Sequence, residues 1–296
     1  MLSWIKSFAV LSGRASKGVV HMLMKLKDGK SKVLTLSYDD GVVQDIRLKE
    51  ILDRNGLKCT FNINTGRYTP EQTQREQFYG RMKLSEAQAL YRDSGHEVAV
   101  HTFSHPFLDR LQRPQVMMEL LEDRKNIEAQ YGTLARGMAY PNGTYNDMVV
   151  EAVGACDICY SRTTKDTYGF GFPEKWLTLH PTCRHKSSRL MELAKQFVED
   201  APATMAQNWM FYLWGHSYEF DNDDNWNVIE EFAAYTGGRE DIWYATNIEI
   251  YDYVKAYESL RVSVDGNIVE NPTAIDVWFR HNKQTHCIRG GETLRF

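Results

Sequence analysis

The feature that most constrains this chain is a repeated alternation between short apolar runs and segments whose apolar residues have helical spacing. The first run, Val33–Ser37, is followed by a helical pattern over Val42–Arg54, by Gly56, and by a second run at Lys58–Ile63. Strands separated by helices predict βαβ units and a parallel sheet. About seven such units in roughly 230 residues favour a β/α barrel that is closed or nearly closed. An open, doubly wound sheet is the alternative.

The rest of the chain continues this pattern and then changes character. Helices are predicted at Leu84–Asp93, Pro114–Tyr131, Asp147–Val153, Ser188–Glu199, Trp226–Tyr235 and Ile248–Tyr257, and strands at Glu97–Val100, Gly137–Tyr140, Cys156–Tyr160, Trp209–Trp214 and Ile242–Tyr244. After about Leu260 the residues alternate as in β-strands, with a hairpin signal at Asp265-Gly266. We therefore divide the chain into an N-terminal extension (1–32), a barrel (33–260) and a C-terminal β segment packed on the barrel (261–296).

Composition argues against several classes of protein. Of the 296 residues, 43% are hydrophobic and 25% are charged, which is typical of a globular chain. The net charge of −4 disfavours a nucleic-acid-binding protein and a polybasic membrane anchor. Residues 1–20 contain only a short apolar stretch, below the about 7–15 residues of a cleavable signal peptide, so we expect a cytoplasmic protein. Five scattered cysteines argue against a disulfide framework.

Two polar clusters follow predicted strands, where parallel β/α folds carry their active residues. Asp39 and Asp40 end the first strand, and adjacent carboxylates there need a compensating positive charge such as a metal ion. One of them as a helix N-cap is the alternative. His101 and His105 end the third strand and share a face if the intervening turn is helical. Two imidazoles and one carboxylate are the ligands of a catalytic zinc site, which leaves the second carboxylate free as a base.

Two later strands also end in residues suited to chemistry. Tyr140, Pro141 and Asn142 begin a sharp turn that can aim backbone N–H groups at a substrate oxygen, although a plain turn is the alternative. His216 follows Trp214 at the end of a late strand, where an imidazole suits a general acid and an indole suits a sugar ring. A histidine satisfied within the core is the alternative for His216. The acidic run that follows, Glu219–Asp224, is predicted to be a solvated loop.

In this order, the segments SYDDG, HTFSH, AYPNG and LWGH resemble the motifs of the polysaccharide deacetylases (NodB-homology domain, carbohydrate esterase family 4). The resemblance implies a distorted (β/α)7 barrel with, here, a C-terminal β appendage. It also implies one divalent metal ion, most often zinc, with cobalt, nickel or manganese as alternatives, and hydrolysis of N-acetyl or O-acetyl groups on sugars. By position, it implies Asp39 as general base, His216 as general acid, Asp40, His101 and His105 as metal ligands, and the Asn142 N–H as an oxyanion donor.

The sequence departs from the family pattern at the third motif. The family often has an arginine at the position of Ala139, where it orients the base, and Arg162 and Arg184 are the candidates to replace it. The tyrosine that usually follows the proline is Asn142. For the aspartate that pairs with the acidic histidine, Asp166 is a candidate. We expect the substrate to be bound by Tyr140, Pro141, Asn142, Arg162 and Trp214.

These residues favour a metal-dependent hydrolase that deacetylates a carbohydrate. One alternative is a hydrolase of another non-peptide C–N bond, in a small linear or cyclic amide. A second alternative is a carbohydrate-binding homologue with weak or lost activity, which the missing arginine motivates. The expected partner is a carbohydrate or a small amide, with no nucleic acid and no membrane, and the sequence does not indicate an oligomeric state.

Overall fold

A computed structural model of the chain describes residues 22–71, 73 and 80–296. The segment 1–20, on which the expectation about a signal peptide depends, lies outside these residues. The α-helices are α1 (Asp45–Arg54), α2 (Leu84–Tyr91), α3 (Arg113–Tyr131), α4 (Asp147–Ala155), α5 (Leu190–Glu199), α6 (Tyr218–Asn222), α7 (Asn227–Thr236) and α8 (Asn247–Glu258). Within the described ranges, none of the helices combines the length and the apolar character needed to cross a membrane.

Up to β9 most strands alternate with helices, as predicted, and five further strands follow after the last helix. They are β1 (Leu23–Lys25), β2 (Lys32–Asp39), β3 (Cys59–Ile63), β4 (Glu97–Val100), β5 (Gly137–Ala139), β6 (Tyr160–Arg162), β7 (Cys183–Arg184), β8 (Trp209–Gly215), β9 (Ile242–Tyr244), β10 (Arg261–Val262), β11 (Ile268–Glu270), β12 (Val277–His281), β13 (Gln284–Ile288) and β14 (Thr293–Arg295). Strands β2 to β9 form one parallel sheet.

The parallel sheet curls around β2, whose eight residues are all buried. The strand order is β6-β5-β4-β3-β2-β8-β7, and β9 pairs with the first three residues of β2. A parallel bridge joins Arg162, the last residue of the edge strand β6, to Leu179 in the segment that precedes the other edge strand, β7. The predicted distorted β/α barrel is therefore confirmed. Its helices cover the sheet and complete a core that includes Leu36, Phe61 and Phe211, each fully buried.

Most predicted helices and strands are found within a few residues of their expected ends, and two local predictions were wrong. Cys156 does not begin a strand: it follows α4, and the strand starts at Tyr160. Glu219 does not lie in a solvated loop: it lies in α6 and is 7% exposed.

The residues after Leu260 form two small antiparallel sheets against the barrel. One has the order β10-β11-β14, and Asp265 and Gly266 lie in the turn between β10 and β11, as predicted. The other has the order β1-β12-β13, so residues 23–25 of the predicted N-terminal extension pair with a strand of the C-terminal segment. The hydroxyl of Tyr253 in α8 accepts a hydrogen bond from the backbone N–H of Trp278 at 2.9 Å, which ties β12 to the barrel.

Candidate metal centre and active site

The carboxylates of Asp39 and Asp40 diverge at the end of β2 into two different environments. Asp39 is the last residue of the strand and remains in register with Asn62 of β3. Asp40 leaves the strand with a positive φ of 91° and is followed by Gly41 with a φ of 63°. This change of backbone conformation is uncommon for a residue with a side chain. It sends two neighbouring carboxylates toward different partners.

Asp40 faces the two imidazoles of the HTFSH segment. Its Oδ1 atom lies 3.5 Å from Nε2 of His105 and 3.9 Å from Nε2 of His101. One potential ligand atom from each of the three residues lies within 4.8 Å of the others. Three oxygen and nitrogen atoms that converge in this way can hold one divalent ion and leave further positions open.

The two ring nitrogens of His101 lie in environments that suit a metal ligand. Nδ1 of His101 donates a hydrogen bond to the carbonyl of Ala139 at 2.9 Å, which fixes the tautomer and leaves a lone pair on Nε2. That Nε2 atom is buried and has no hydrogen-bond partner among the described residues. Burial lowers the pKa of His101 to about 4, so the ring is neutral at pH 7. A buried, neutral and unpartnered nitrogen beside a carboxylate is the observation that fits a metal ligand.

The loop that carries the two histidines does not form the helical turn that the sequence suggested. Thr102 and His105 have positive φ values of 68° and 63°, and no helix lies between His101 and His105. The loop is held by Asp123 of α3, which accepts hydrogen bonds from the backbone N–H groups of Thr65 at 2.8 Å and of His101 at 3.0 Å. The two rings nevertheless meet, with their centroids 4.9 Å apart.

Asp39 faces cations rather than the two metal-site histidines. Arg162 Nη2 donates to its Oδ2, and Asn62 Nδ2 donates to its Oδ1 at 2.9 Å. The side chains of Asp39 and Arg162 are only 3% and 1% exposed. Burial alone would raise the pKa of Asp39, but the guanidinium of Arg162, with smaller effects from neighbouring His101 and His216 and the hydrogen bond from Asn62, lowers it to about 2. The carboxylate is therefore ionised across the neutral range.

The position of Arg162 explains how the chain tolerates Ala139. In the β5–β6 pair, the Cα partner of Ala139 is Arg162, so the guanidinium reaches Asp39 from the neighbouring strand at the same level of the sheet. Arg184, the other candidate, instead pairs with Glu219. The choice between the two arginines depends on strand register, which the sequence did not supply.

His216 lies between Asp39 and a carboxylate that the sequence interpretation missed. Its Nε2 is 3.8 Å from Oδ2 of Asp39, and its Nδ1 is 3.5 Å from Oε2 of Glu219. Burial alone would lower the pKa of His216, but the carboxylates of Glu219, Asp39 and Asp40 raise it above its usual value. Asp166, the candidate from the sequence, instead accepts a hydrogen bond from the indole of Trp214 at 3.1 Å.

These groups surround one cavity of about 550 Å³. Asp39, Asp40, His101, His105 and His216 line it together with Tyr140, Asn142, Gly143, Thr164, Asp166, Arg184, Trp214 and Tyr218. Pro141 and Arg162, both expected to bind substrate, lie behind this lining: Pro141 is buried, and Arg162 is 1% exposed.

The aromatic residues of the cavity are more enclosed than the sequence suggested. Trp214 is 5% exposed, and the guanidinium carbons of Arg162 and Arg184 lie 4.3 and 5.1 Å from its ring centroid. Its indole therefore offers little free face to a sugar. Tyr140 is 1% exposed and stacks on Tyr145, with 4.7 Å between the ring centroids. Asn142 lies at the exposed rim with a φ of 57°.

The chain is similar to known proteins over part of its length. Residues 26–160 match the sequence model of the polysaccharide deacetylase family. A peptidoglycan-N-acetylglucosamine deacetylase, PgdA, from Listeria monocytogenes serotype 1/2a (strain 10403S) is 26% identical over 140 residues. That match covers 46% of this chain and 27% of the length of the relative, so most of the relative has no counterpart in the alignment.

Solved structures resemble the chain over a longer stretch. The crystal structure of a provisionally assigned polysaccharide deacetylase from Mycobacterium smegmatis covers 82% of this chain and 96% of that chain, with a TM-score of 0.55 and 16% identity. A pseudoenzyme of carbohydrate esterase family 4 from Bacillus anthracis, BA3943, is also similar, at 16% identity over 75% of this chain and 66% of that chain, with a TM-score of 0.46. The segment 26–160, which carries SYDDG, HTFSH and AYPNG, is thus the part of the chain that matches the polysaccharide deacetylase family.

Proposed function

We propose that this protein is a metal-dependent hydrolase that removes an acetyl group from an N-acetylated or O-acetylated carbohydrate. One observation carries the proposal: two adjacent carboxylates line the same cavity, Asp40 beside two imidazoles and Asp39 beside Arg162 and His216. This arrangement separates a metal-binding carboxylate from a carboxylate that is free to move protons. A site that only bound carbohydrate would need neither feature.

Asp40, His101 and His105 are the residues that would hold the ion. Their oxygen and nitrogen donors suit zinc, and also cobalt, nickel or manganese. When bound, such an ion polarises an acyl carbonyl and lowers the pKa of water. The neutral state of His101 supports this role, because a protonated imidazole cannot bind a cation.

Asp39 acts as the general base of the proposed reaction. It borders the cavity and, because Arg162 and Asn62 donate to its two oxygens, is held in one orientation. It takes a proton from the attacking water while the oxygen of that water bonds to the acetyl carbon. The Arg162 guanidinium limits the movement of the carboxylate but does not itself reach the cavity.

His216 acts as the general acid that protonates the leaving group. Its raised pKa favours the imidazolium form, which can donate a proton to the departing amine or alcohol. Glu219 is the positioning residue for this ring, since its carboxylate faces Nδ1 and leaves Nε2 directed toward Asp39. At the rim, we assign the backbone N–H of Asn142 to the developing oxyanion.

The first experiment measures metal content and acetate release on the same protein samples. Wild type, His101→Ala and, as a matched control, His96→Ala are purified, exposed to zinc or cobalt, and analysed for bound metal. His96 pairs with Asp53 away from the cavity, so its variant should bind metal as wild type does. Wild type should hold about one ion per chain, and His101→Ala should lose it.

Acetate release is then measured on chito-oligosaccharides and on O-acetylated sugars, with small linear and cyclic amides as a second panel. Acetate release that requires metal and Asp39 supports the proposal. Hydrolysis of the amides alone would move the protein to the other class of C–N hydrolase. Metal and sugar binding without turnover would indicate the binding homologue instead.

A further inference from the structure

Arg81 lies beside the carboxylate of Asp40 but outside the four sequence motifs. It belongs to the short segment before α2, which runs antiparallel to the residues that follow Asp40. The backbone pairing consists of a bridge between Val42 and Arg81, with Met82 N donating to Gly41 O and Val43 N donating to Gly80 O, both at 3.2 Å. This pairing fixes the backbone of Arg81 directly against the Asp40 turn.

The guanidinium of Arg81 makes three contacts with acceptors near the metal site. Nη2 lies 3.1 Å from Oδ1 of Asp40, the same oxygen that faces the two imidazoles. Nη1 donates to the backbone carbonyl of Asp40 and, at 2.8 Å, to Oδ1 of Asn64. Asp40 has a positive φ, so the bond to its own carbonyl stabilises a backbone conformation that a residue with a side chain seldom adopts.

Asn64 extends these contacts to the second half of the metal site. Its Nδ2 donates to the carbonyl of His101 at 2.5 Å and to the carbonyl of Thr102 at 2.9 Å. One continuous set of hydrogen bonds therefore joins the loop of Asp40 to the loop of His101 through Arg81 and Asn64. The side chain of Arg81 is 19% exposed, so these bonds are largely protected from water.

We propose that Arg81 is a positioning residue that sets the metal affinity of the site by holding Asp40 Oδ1 toward His101 and His105. The inference rests on the proposed metal site. A planar guanidinium suits this position because it serves three acceptors in fixed directions, whereas a lysine ammonium is a point charge on a flexible chain. Groups that orient a metal ligand typically change metal affinity by about 10–100-fold when they are removed.

An opposite effect also follows from the charge of Arg81. A cation beside the ligating oxygen repels a divalent ion and would weaken binding if charge alone mattered. The three directed bonds, and the positive φ that one of them supports, favour orientation as the larger effect. The sign of the change in affinity therefore separates the two possibilities: positioning predicts weaker binding without Arg81, and repulsion predicts tighter binding.

The test measures zinc and cobalt affinity of the full chain by competition with a chelator of known affinity. The samples are wild type, Arg81→Ala, Arg81→Lys and Arg67→Ala. Arg67 is a matched control, since it donates to the nearby Ser104 carbonyl at 3.4 Å but does not touch Asp40. We expect about 10–100-fold weaker binding for Arg81→Ala, partial recovery for Arg81→Lys, and wild-type affinity for Arg67→Ala.

The visible absorption spectrum of the cobalt protein supplies a readout of ligand geometry that general stability does not move. It should change in Arg81→Ala and less so in Arg81→Lys. If Arg81→Ala does not fold, as judged by circular dichroism without metal, Arg81→Lys decides, and wild-type affinity and spectrum in that variant would overturn the inference. Equal or tighter binding by a folded Arg81→Ala would also overturn it. Wild type that binds no metal would instead remove the proposed metal site itself.

Discussion

Carboxyl groups at the two ends of the parallel sheet have pKa values that are shifted in opposite directions. At the beginning of β4, Glu97 accepts hydrogen bonds from the hydroxyls of Thr60 at 2.8 Å and Tyr160 at 2.7 Å, and from the backbone N–H of Ile248 at 3.0 Å. Desolvation raises the pKa of Glu97 to about 7. At the other end, Asp39 faces Arg162 and His216, and its pKa falls to about 2.

This difference separates a structural carboxyl group from the one proposed to react. Glu97 has neutral donors on both oxygens and connects three elements of the fold, so a neutral carboxyl group serves it well. Asp39 must remain charged, and it borders a cavity that also contains an unpartnered nitrogen of His101. A carboxylate that stays ionised at the edge of a cavity is available to accept a proton. The variants below test this contrast.

The largest effect is expected for Asp39→Asn. An amide cannot take the proton of the attacking water, so kcat should fall by about 10²–10⁴. Metal content should not change, because Asp40, His101 and His105 remain. The measurement is kcat on the best acetylated substrate, with metal analysis of the same sample. Activity close to that of wild type would remove Asp39 from the role of base.

Arg162→Ala should give the largest change in stability. Removal of one partner from a buried ion pair leaves the other charge uncompensated and costs about 3–5 kcal/mol. Arg113→Ala is the matched control, because the Arg113–Glu151 pair is 48% and 66% exposed and such pairs contribute about 0–1 kcal/mol. Urea unfolding gives both values.

A second variant sharpens the result for Arg162. Ala139 is the register partner of Arg162, so the double change Ala139→Arg and Arg162→Ala returns an arginine to the same level of the sheet from the neighbouring strand. It should recover part of the lost stability and activity. No recovery would indicate that the backbone of β5 cannot direct a guanidinium to Asp39.

Glu219→Gln should move the pH profile rather than abolish activity. The raised pKa of His216 keeps the general acid protonated, and this form is lost as pH rises through that pKa. Loss of the Glu219 charge lowers the pKa of His216, so the decline in kcat/KM at alkaline pH should begin at a lower pH. Asp223→Asn, in the same region but paired with Lys186, should leave the profile unchanged. An unshifted profile for Glu219→Gln would argue against its effect on His216.

The smallest effect on activity is expected for Glu97→Gln. Glu97 has a folded-state pKa of about 7 against an ordinary value of 4.5, so its contribution to stability is complete below about pH 4.5 and is lost as pH rises through 7. Glutamine stays neutral and can still accept the bond from Ile248. The variant should therefore gain stability relative to wild type as pH rises from 5 to 8, with unchanged activity per folded molecule. Thermal unfolding of both proteins across this pH range tests the prediction. A stability advantage of Glu97→Gln over wild type that shrinks as pH rises would contradict it.

The sequence could predict those candidate site residues that directly follow a predicted strand in the alternation of strands and helices. The carboxyl ends of parallel strands meet at one edge, so the sequence could group the strand-end residues Asp39, Asp40, His101, His105 and His216, which line one cavity in the structure. The loop conformation between His101 and His105 was not predicted, because its two positive φ values depend on long-range partners such as Asp123.

Residues that act through distant contacts were not predicted for the same reason. Glu219 lies in an acidic run that looks solvated, and its burial depends on Arg184 and His185 from another part of the barrel. Arg162 was one of two candidates until the β5–β6 register distinguished them. Arg81 has no local pattern at all, since its contacts become visible only when the segment before α2 pairs with the turn after β2.

The pairing of β1 with β12 has a consequence for the order in which the protein folds. Leu23 lies opposite Arg280, so a strand near the start of the described residues pairs with one that is synthesised much later. During translation the barrel strands can pair first. The edge of β1 that pairs with β12 stays unpaired until residues 277–281 have left the ribosome. Loop closure over such a separation is slow, and an unpaired edge invites association with other chains. Pairing with β12 thus covers one edge of β1 only after the C-terminal segment has been made.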